Sequence, residues 1–167
     1  CSGVVSCPAK YYCENNNNYP CTAGYYCPEG INDRRKCLPG YFCPPETGDL
    51  TRDNLCPAGT LCPEQSTTPQ PCPSGFYCLQ ETTTPELCPP GSYCPDGTRF
   101  GTEYLCPNGT YSDRFNLASA INCTMCTPGY YCGSEGLTAP TAECSGGYFC
   151  GGGSYLAEPY EFGDSAY

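Results

Sequence analysis

The side chains of this sequence best equipped for bond-forming chemistry are its thiols. The 167-residue chain has 19 cysteines and no histidine. A Ser–His or Cys–His dyad is therefore impossible, since the base that activates the nucleophile is missing. Structural zinc is held by clustered Cys-x2-Cys pairs, usually with His; one such pair is present, Cys123-Thr-Met-Cys126. That pair also lacks the βαβ context of a thiol oxidoreductase. Asp49 with Asp53, or Glu158 with Glu161, could be paired carboxylates, but a general acid needs a deep apolar pocket to raise its pKa. The acids are scattered singly, without an Asp-x-Asp-x-Asp calcium loop. The expectation is no catalytic, cofactor-binding or metal-ligating residue, and no enzyme. What remains for so many thiols is pairing with one another.

Two further motifs invite modification. Asn108-Gly-Thr110 and Asn122-Cys-Thr124 are N-glycosylation sequons, expected to be used if the chain is secreted by a eukaryote. The Thr/Ser-Pro clusters at 66–69 and 82–85 are compositional candidates for O-glycans.

Composition decides what holds such a chain together. Val, Ile, Leu and Phe number 20 of 167 residues, too few to offset conformational entropy by burial. Cysteine at this density reads instead as a disulfide scaffold. Each native bridge contributes about 2–4 kcal/mol by restricting the unfolded chain. Disulfides persist in oxidising compartments, so the expected location is extracellular, secreted or on the cell surface. The net charge of −10 argues against nucleic acid, whose phosphates demand Lys/Arg clusters. The one basic run, Arg34-Arg35-Lys36, is expected to be a solvated loop, as is the Asn15–Asn18 tract. No apolar stretch approaches 20 residues, so no membrane insertion is expected in this segment, which reads as a mature or excised piece.

The cysteines are ordered by a repeat. Cys-x5-Cys recurs eight times, starting at Cys7, Cys21, Cys37, Cys56, Cys72, Cys88, Cys126 and Cys144. A ninth opening, Cys106-Pro-Asn-Gly-Thr-Tyr, runs through a polar loop to Cys123. In most units a Gly stands fourth, where a type II turn needs φ > 0, and aromatic residues suited to a short strand follow it. The segments between units are polar and without helical period. The expected fold is small and disulfide-rich: an elongated ladder of tandem repeats with short β-hairpins and little or no helix. Residues 1–105 form the short repeats, 106–150 a longer module, and 151–167 a Gly/Tyr/acidic tail.

Three pairing registers are compatible with this spacing. Each unit can close on itself, with Cys106 taking Cys123. Neighbours can interleave, as Cys126–Cys144 with Cys132–Cys150, again with Cys106–Cys123. Or the end of one unit can join the start of the next, which forces a tight Cys123–Cys126 ring more typical of redox motifs. Cys106–Cys123 is the expected bridge, and in the first two registers Cys1 is left over as a free or intermolecular thiol.

The pattern Cys-Pro-x-Gly-Tyr-Tyr-Cys-Pro, together with Cys106-Pro-Asn-Gly-Thr-Tyr-Ser-(x)10-Cys123-Thr-Met-Cys126-Thr-Pro-Gly-Tyr-Tyr-Cys132, resembles the ephrin-receptor-like cysteine-rich repeats, in the style of EGF and tumour-necrosis-factor-receptor modules. The resemblance covers residues 7–150. Such repeats occur in receptor ectodomains and in surface and secreted proteins of protists, and the resemblance implies a spacer or binding scaffold. Two roles are expected: a structural protein of an extracellular filament, flagellar hair, coat or matrix, or the stalk or ligand-binding segment of a receptor ectodomain. The partners would be copies of this chain or other extracellular proteins. Two readings are open for the tail: a disordered linker, or a docking strand in which Tyr155, Leu156, Tyr160 and Phe162 lie across the exposed edge of a neighbouring subunit.

Overall fold

The computed structural model describes residues 6–159. A tight turn opens every repeat, and its cause is local. The N–H of the fifth residue donates to the carbonyl of the second, as Tyr25 does to Thr22 (3.1 Å) and Thr110 to Pro107 (3.0 Å). The fourth residue sits at positive φ, +81° at Gly24 and +80° at Gly109. This is type II turn geometry, and glycine reaches it without a Cβ penalty.

The residues after the turn run as a short strand and meet the residues just before the next repeat. The chain falls into two compact units, one of Cys1–Cys72 with Cys78–Pro85, the other of Pro73–Tyr77 with Glu86–Tyr167. In the first unit β1 (Tyr11–Glu14) pairs with β2 (Asn17–Pro20), β3 (Tyr25–Tyr26) with β4 (Arg35–Lys36), and β5 (Thr60–Leu61) with β6 (Gln70–Pro71). In the second, β7 (Phe76–Tyr77) pairs with β8 (Glu86–Leu87), β9 (Thr110–Tyr111) with β10 (Thr124–Met125), and β11 (Tyr130–Tyr131) with β12 (Ala142–Glu143). All six pairs are antiparallel; single bridges, Tyr41 to Leu55 and Ser92 to Leu105, serve two further repeats. Helix is limited to two 3-10 turns, Arg52–Asn54 and Ala120–Asn122. The fold is thus small, disulfide-rich and nearly helix-free, with tandem hairpins along the chain.

Two local expectations change. The Asn15–Asn18 tract is half turn and half strand: Asn15 and Asn16, at φ +50° and +62°, make the two-residue connection, while Asn17 and Asn18 belong to β2. Positive φ at both central residues matches the twist of a hairpin, and Asn tolerates it. The basic run is not a loop either, since Arg35–Lys36 is β4.

The interior is sulfur. Among the described residues, the buried apolar side chains are cysteines and Leu117 alone. Nine bridges run through it: Cys7–Cys13, Cys21–Cys27, Cys37–Cys43, Cys56–Cys62, Cys72–Cys78, Cys88–Cys94, Cys106–Cys123, Cys126–Cys132 and Cys144–Cys150. The register in which each unit closes on itself is therefore the one adopted.

Candidate functional site

The element that recurs along the chain is the junction between one repeat and the next. It is built from backbone groups. The fourth residue donates its N–H to the carbonyl of the next repeat's seventh residue: Lys10 to Cys27, Gly24 to Cys43, Gly40 to Cys62 and Gly59 to Cys78 in the first unit. Gly75 to Cys94, Gly91 to Ser112, Gly109 to Cys132 and Gly129 to Cys150 do the same in the second. The fourth carbonyl in turn accepts from the first cysteine of the next repeat, as Gly24 does from Cys37 and Gly91 from Cys106 (both 2.9 Å).

A second turn, just past the closing cysteine, completes the junction. Its third residue is also at positive φ (Gly30, Glu46, Gln65, Glu81, Asn116, Gly136 and Gly153), and its N–H donates back to the first cysteine of the preceding repeat, as Glu46 does to Cys21 (2.8 Å) and Glu81 to Cys56 (2.9 Å). A hydroxyl usually follows and closes the turn: Thr47 on the Pro44 carbonyl, Ser66 on Pro63, Thr82 on Leu79 and Thr98 on Pro95. These segments were expected to be plain polar loops. Their signal was legible in Cys43-Pro-Pro-Glu-Thr47, Cys62-Pro-Glu-Gln-Ser66 and Cys94-Pro-Asp-Gly-Thr98, where proline presets φ for the first turn position and a side-chain hydroxyl can cap the turn.

The second turn also reaches two repeats back. A Cβ placed on Gly24 would lie 2.9 Å from the Gln65 carbonyl oxygen, and one on Gly40 would lie 3.1 Å from that of Glu81. Gly75, Gly91 and Gly109 meet Asn116, Gly136 and Gly153 in the same way. Where the fourth residue is Lys10 instead of glycine, the compensating gap is on the other side: a Cβ on Gly48 would touch the Lys10 side chain at 3.3 Å.

Repeat seven departs from the others and shows what the seventh position is for. Ser112 stands there in place of cysteine and is buried, yet its carbonyl still accepts from Gly91 and its N–H donates to Leu137. With no thiol at that place, Cys106 reaches Cys123 instead, and the two pack with Leu117 and Tyr93. Thr124 and Met125 of the Cys-x2-Cys segment are β10, while Cys126 bonds Cys132. Cys1 lies outside the described residues.

Side chains decorate the hairpins. The Arg34 guanidinium lies over the rings of Tyr12 (5.3 Å) and Tyr25 (4.7 Å) and donates to Thr22 Oγ1, while Tyr12 stacks on Tyr19. Each cation–π contact of this exposed kind contributes about 0.5–1 kcal/mol. The Tyr77 hydroxyl donates to Glu86 across its hairpin, which pushes the phenol above its usual range, with burial and the carboxylate charge adding to the effect. Arg99 grips Glu103 through Nε (2.9 Å) and Nη2 (2.6 Å) on Oε1, and this holds the Glu103 carboxyl below the ordinary range.

Asp49 and Asp53, with Lys10, line a shallow groove of about 400 Å³ between residues 9–10 and 44–54. Both carboxylates are exposed. Among the described residues no three His, Cys, Asp or Glu side chains gather as metal ligands, and no helix is long and apolar enough to cross a membrane. Asn108, third in its repeat and second in the opening turn, and Asn122, at the end of a 3-10 turn, are both exposed. In the tail, Gly153 and Ser154 complete the second turn of repeat nine, Gly153 N–H donating to Cys126, and the Ala157 carbonyl accepts from Ser145. Tyr155 and Leu156 keep exposed side chains; Tyr160, Glu161 and Phe162 lie outside the described residues. No protein-family model matches this chain, and no curated protein matches it.

Proposed function

We propose that this chain is a non-enzymatic structural repeat protein of an extracellular assembly: a surface filament, flagellar hair, coat or matrix. The observation that carries this reading is the junction, a set of backbone bonds that barely depends on which side chains fill each repeat. Order then comes from bridges and repeated backbone contacts rather than from a shaped pocket, which suits a scaffold more than a catalyst. The cysteine density supports an oxidising location outside the cytoplasm, and the likeness to ephrin-receptor-like repeats supports a scaffold.

Glycans on Asn108 and Asn122 belong to the same reading, because both side chains face solvent. For O-glycans, Thr67, Thr68, Thr83 and Thr84 are the exposed acceptors, whereas Ser66 and Thr82 spend their hydroxyls on turns. The deciding experiment is electron microscopy and size-exclusion chromatography of the chain secreted with its disulfides intact. Regular filaments or sheets are expected. Single particles at every concentration would instead favour the stalk or binding segment of a receptor ectodomain.

A further inference from the structure

The fold brings both sequons, Asn108-Gly109-Thr110 and Asn122-Cys123-Thr124, onto one hairpin, where Thr110 pairs with Met125 and Tyr111 with Thr124. Both asparagines face solvent, so the folded chain has room for a glycan at either. Both sequons are nevertheless held. In the first, Gly109 is buried at φ +80°, and the Thr110 hydroxyl donates to the Pro107 carbonyl (2.6 Å). In the second, Cys123 is buried and bonded to Cys106, and Thr124 lies in β10. An oligosaccharyl transferase must draw the asparagine and the hydroxyl two residues on into its own site, which a backbone locked in this way does not allow. Modification has to come before locking.

The two locks come from opposite directions along the chain. The long-range partners of the first sequon all come later. Gly109 donates to Cys132 (2.9 Å) and accepts from Cys126 (2.8 Å), a Cβ on it would meet the Gly153 carbonyl oxygen, and Thr110 pairs with Met125. Those of the second come earlier: Cys123 bonds Cys106, and Thr124 pairs with Tyr111. A chain entering an oxidising lumen amino end first, at about 5–20 residues per second, exposes Asn108 for roughly one to three seconds before even Cys123 arrives. Asn122 has no such interval, since Cys106 is waiting when Cys123 emerges. Closing a loop of this size takes on the order of 100 ns, whereas disulfide formation takes seconds or longer. Chemistry at sulfur, not chain diffusion, therefore sets the pace against the transferase.

We propose that closure of the Cys106–Cys123 bridge decides whether Asn122 carries a glycan, while Asn108 is glycosylated regardless of it. The two reactions compete for one tripeptide. Transfer joins Asn122 Nδ2 to the anomeric carbon of an oligosaccharide, breaks that carbon's bond to a lipid diphosphate and releases one amide proton. Bridging joins the two sulfurs, and their two protons and two electrons pass to the disulfide of an exchange partner. This rests on the secreted, glycosylated reading above and names what governs occupancy within it.

The test expresses the full chain in eukaryotic secretory cells and reads occupancy at each asparagine by mass spectrometry. Retained and secreted chains are counted together, so that a variant that folds poorly is still measured. With both reactions on a timescale of seconds, the native chain is expected to carry the Asn122 glycan about half as often as the Asn108 glycan, or less. Cys106→Ser keeps the second sequon intact and removes the competitor, so Asn122 occupancy is expected to rise about twofold or more, with Asn108 unchanged. C106S/C123S, which leaves neither thiol of the pair, is expected to rise likewise. C37S/C43S removes a bridge far from both sequons and is expected to change neither site. Equal native occupancy at the two asparagines, a rise absent from either Cys106 variant, or an equal rise in C37S/C43S overturns the proposal while glycosylation stands. No glycan on either asparagine in any of these chains removes the glycan reading as well.

Discussion

Gly91→Ala compared with Gly129→Ala isolates the contact between a repeat and the one two places on. Both glycines sit fourth in their repeat, at φ +78° and +88°, and both donate and accept the same junction bonds. An added methyl at either strains a left-handed backbone, worth about 1–2 kcal/mol. At Gly129 the methyl meets no atom of the described residues within 4 Å; at Gly91 it would stand closer than 3.0 Å to the Gly136 carbonyl oxygen, a separation real Cβ atoms essentially never show. That oxygen belongs to backbone held by the Gly136 N–H bond to Cys106 (2.9 Å), so relief requires the turn to move, an overpacking cost of about 1–3 kcal/mol more. The expected totals are about 2–5 kcal/mol for Gly91→Ala and about 1–2 for Gly129→Ala. Repeat arrays need not unfold in one step, so native-state hydrogen exchange is the right assay. The Gly91, Cys106 and Gly136 amides should lose protection in the first variant, the Gly129 and Cys144 amides more weakly in the second. Equal losses, or a larger one at Gly129, would refute the idea that the second turn locks a repeat two places back.

Other perturbations probe single terms. Replacing Cys106 and Cys123 together by Ser should cost about 3 kcal/mol, because their closure spans 17 residues, against about 2.2 kcal/mol for a closure of 6 such as Cys7–Cys13 on the same chain-entropy argument; urea midpoints of the two kinds of double variant compare them. Glu81→Gly should stabilise by about 0.5–1 kcal/mol, since Glu81 holds φ +64° and relief of that strain exceeds the entropy glycine adds to the unfolded chain. A lower urea midpoint would contradict this. Glu103 is depressed by its hydrogen bonds from Arg99, so its contribution is present above the ordinary glutamate value of about 4.3 and fades as pH falls through the lower folded value. Glu103→Gln should flatten that part of the acid-unfolding curve, by a small amount because the Arg99 partner is exposed.

Much of this architecture was legible in the residues because it is local. Cys-x-x-Gly-aromatic-aromatic-Cys encodes a turn, a strand and a bridge within seven positions, and glycine's freedom at the fourth place is a backbone property that needs no partner. The scarcity of Val, Ile, Leu and Phe likewise announced an interior made of sulfur. The second turn was harder to see, for in three repeats Glu46, Gln65 and Glu81 occupy its left-handed position, and a residue that tolerates strain does not advertise it as glycine does. Arg34 is similar: its place over Tyr12 and Tyr25 depends on two hairpins meeting, which no spacing in the basic run encodes.

Sequence alone determined that bridges must replace a core, and where the hairpins fall, since both follow from composition and short-range geometry. Only the tertiary structure decided among the pairing registers, because a Cys-x5-Cys unit can close on itself or interleave until the turn brings its own two sulfurs together. It alone showed Ser112 filling a cysteine's place and Gly24, Gly40, Gly75, Gly91 and Gly109 each facing a turn two repeats on. Those contacts join backbone groups far apart in the chain, and a carbonyl carries no trace of its partner in the identity of its side chain.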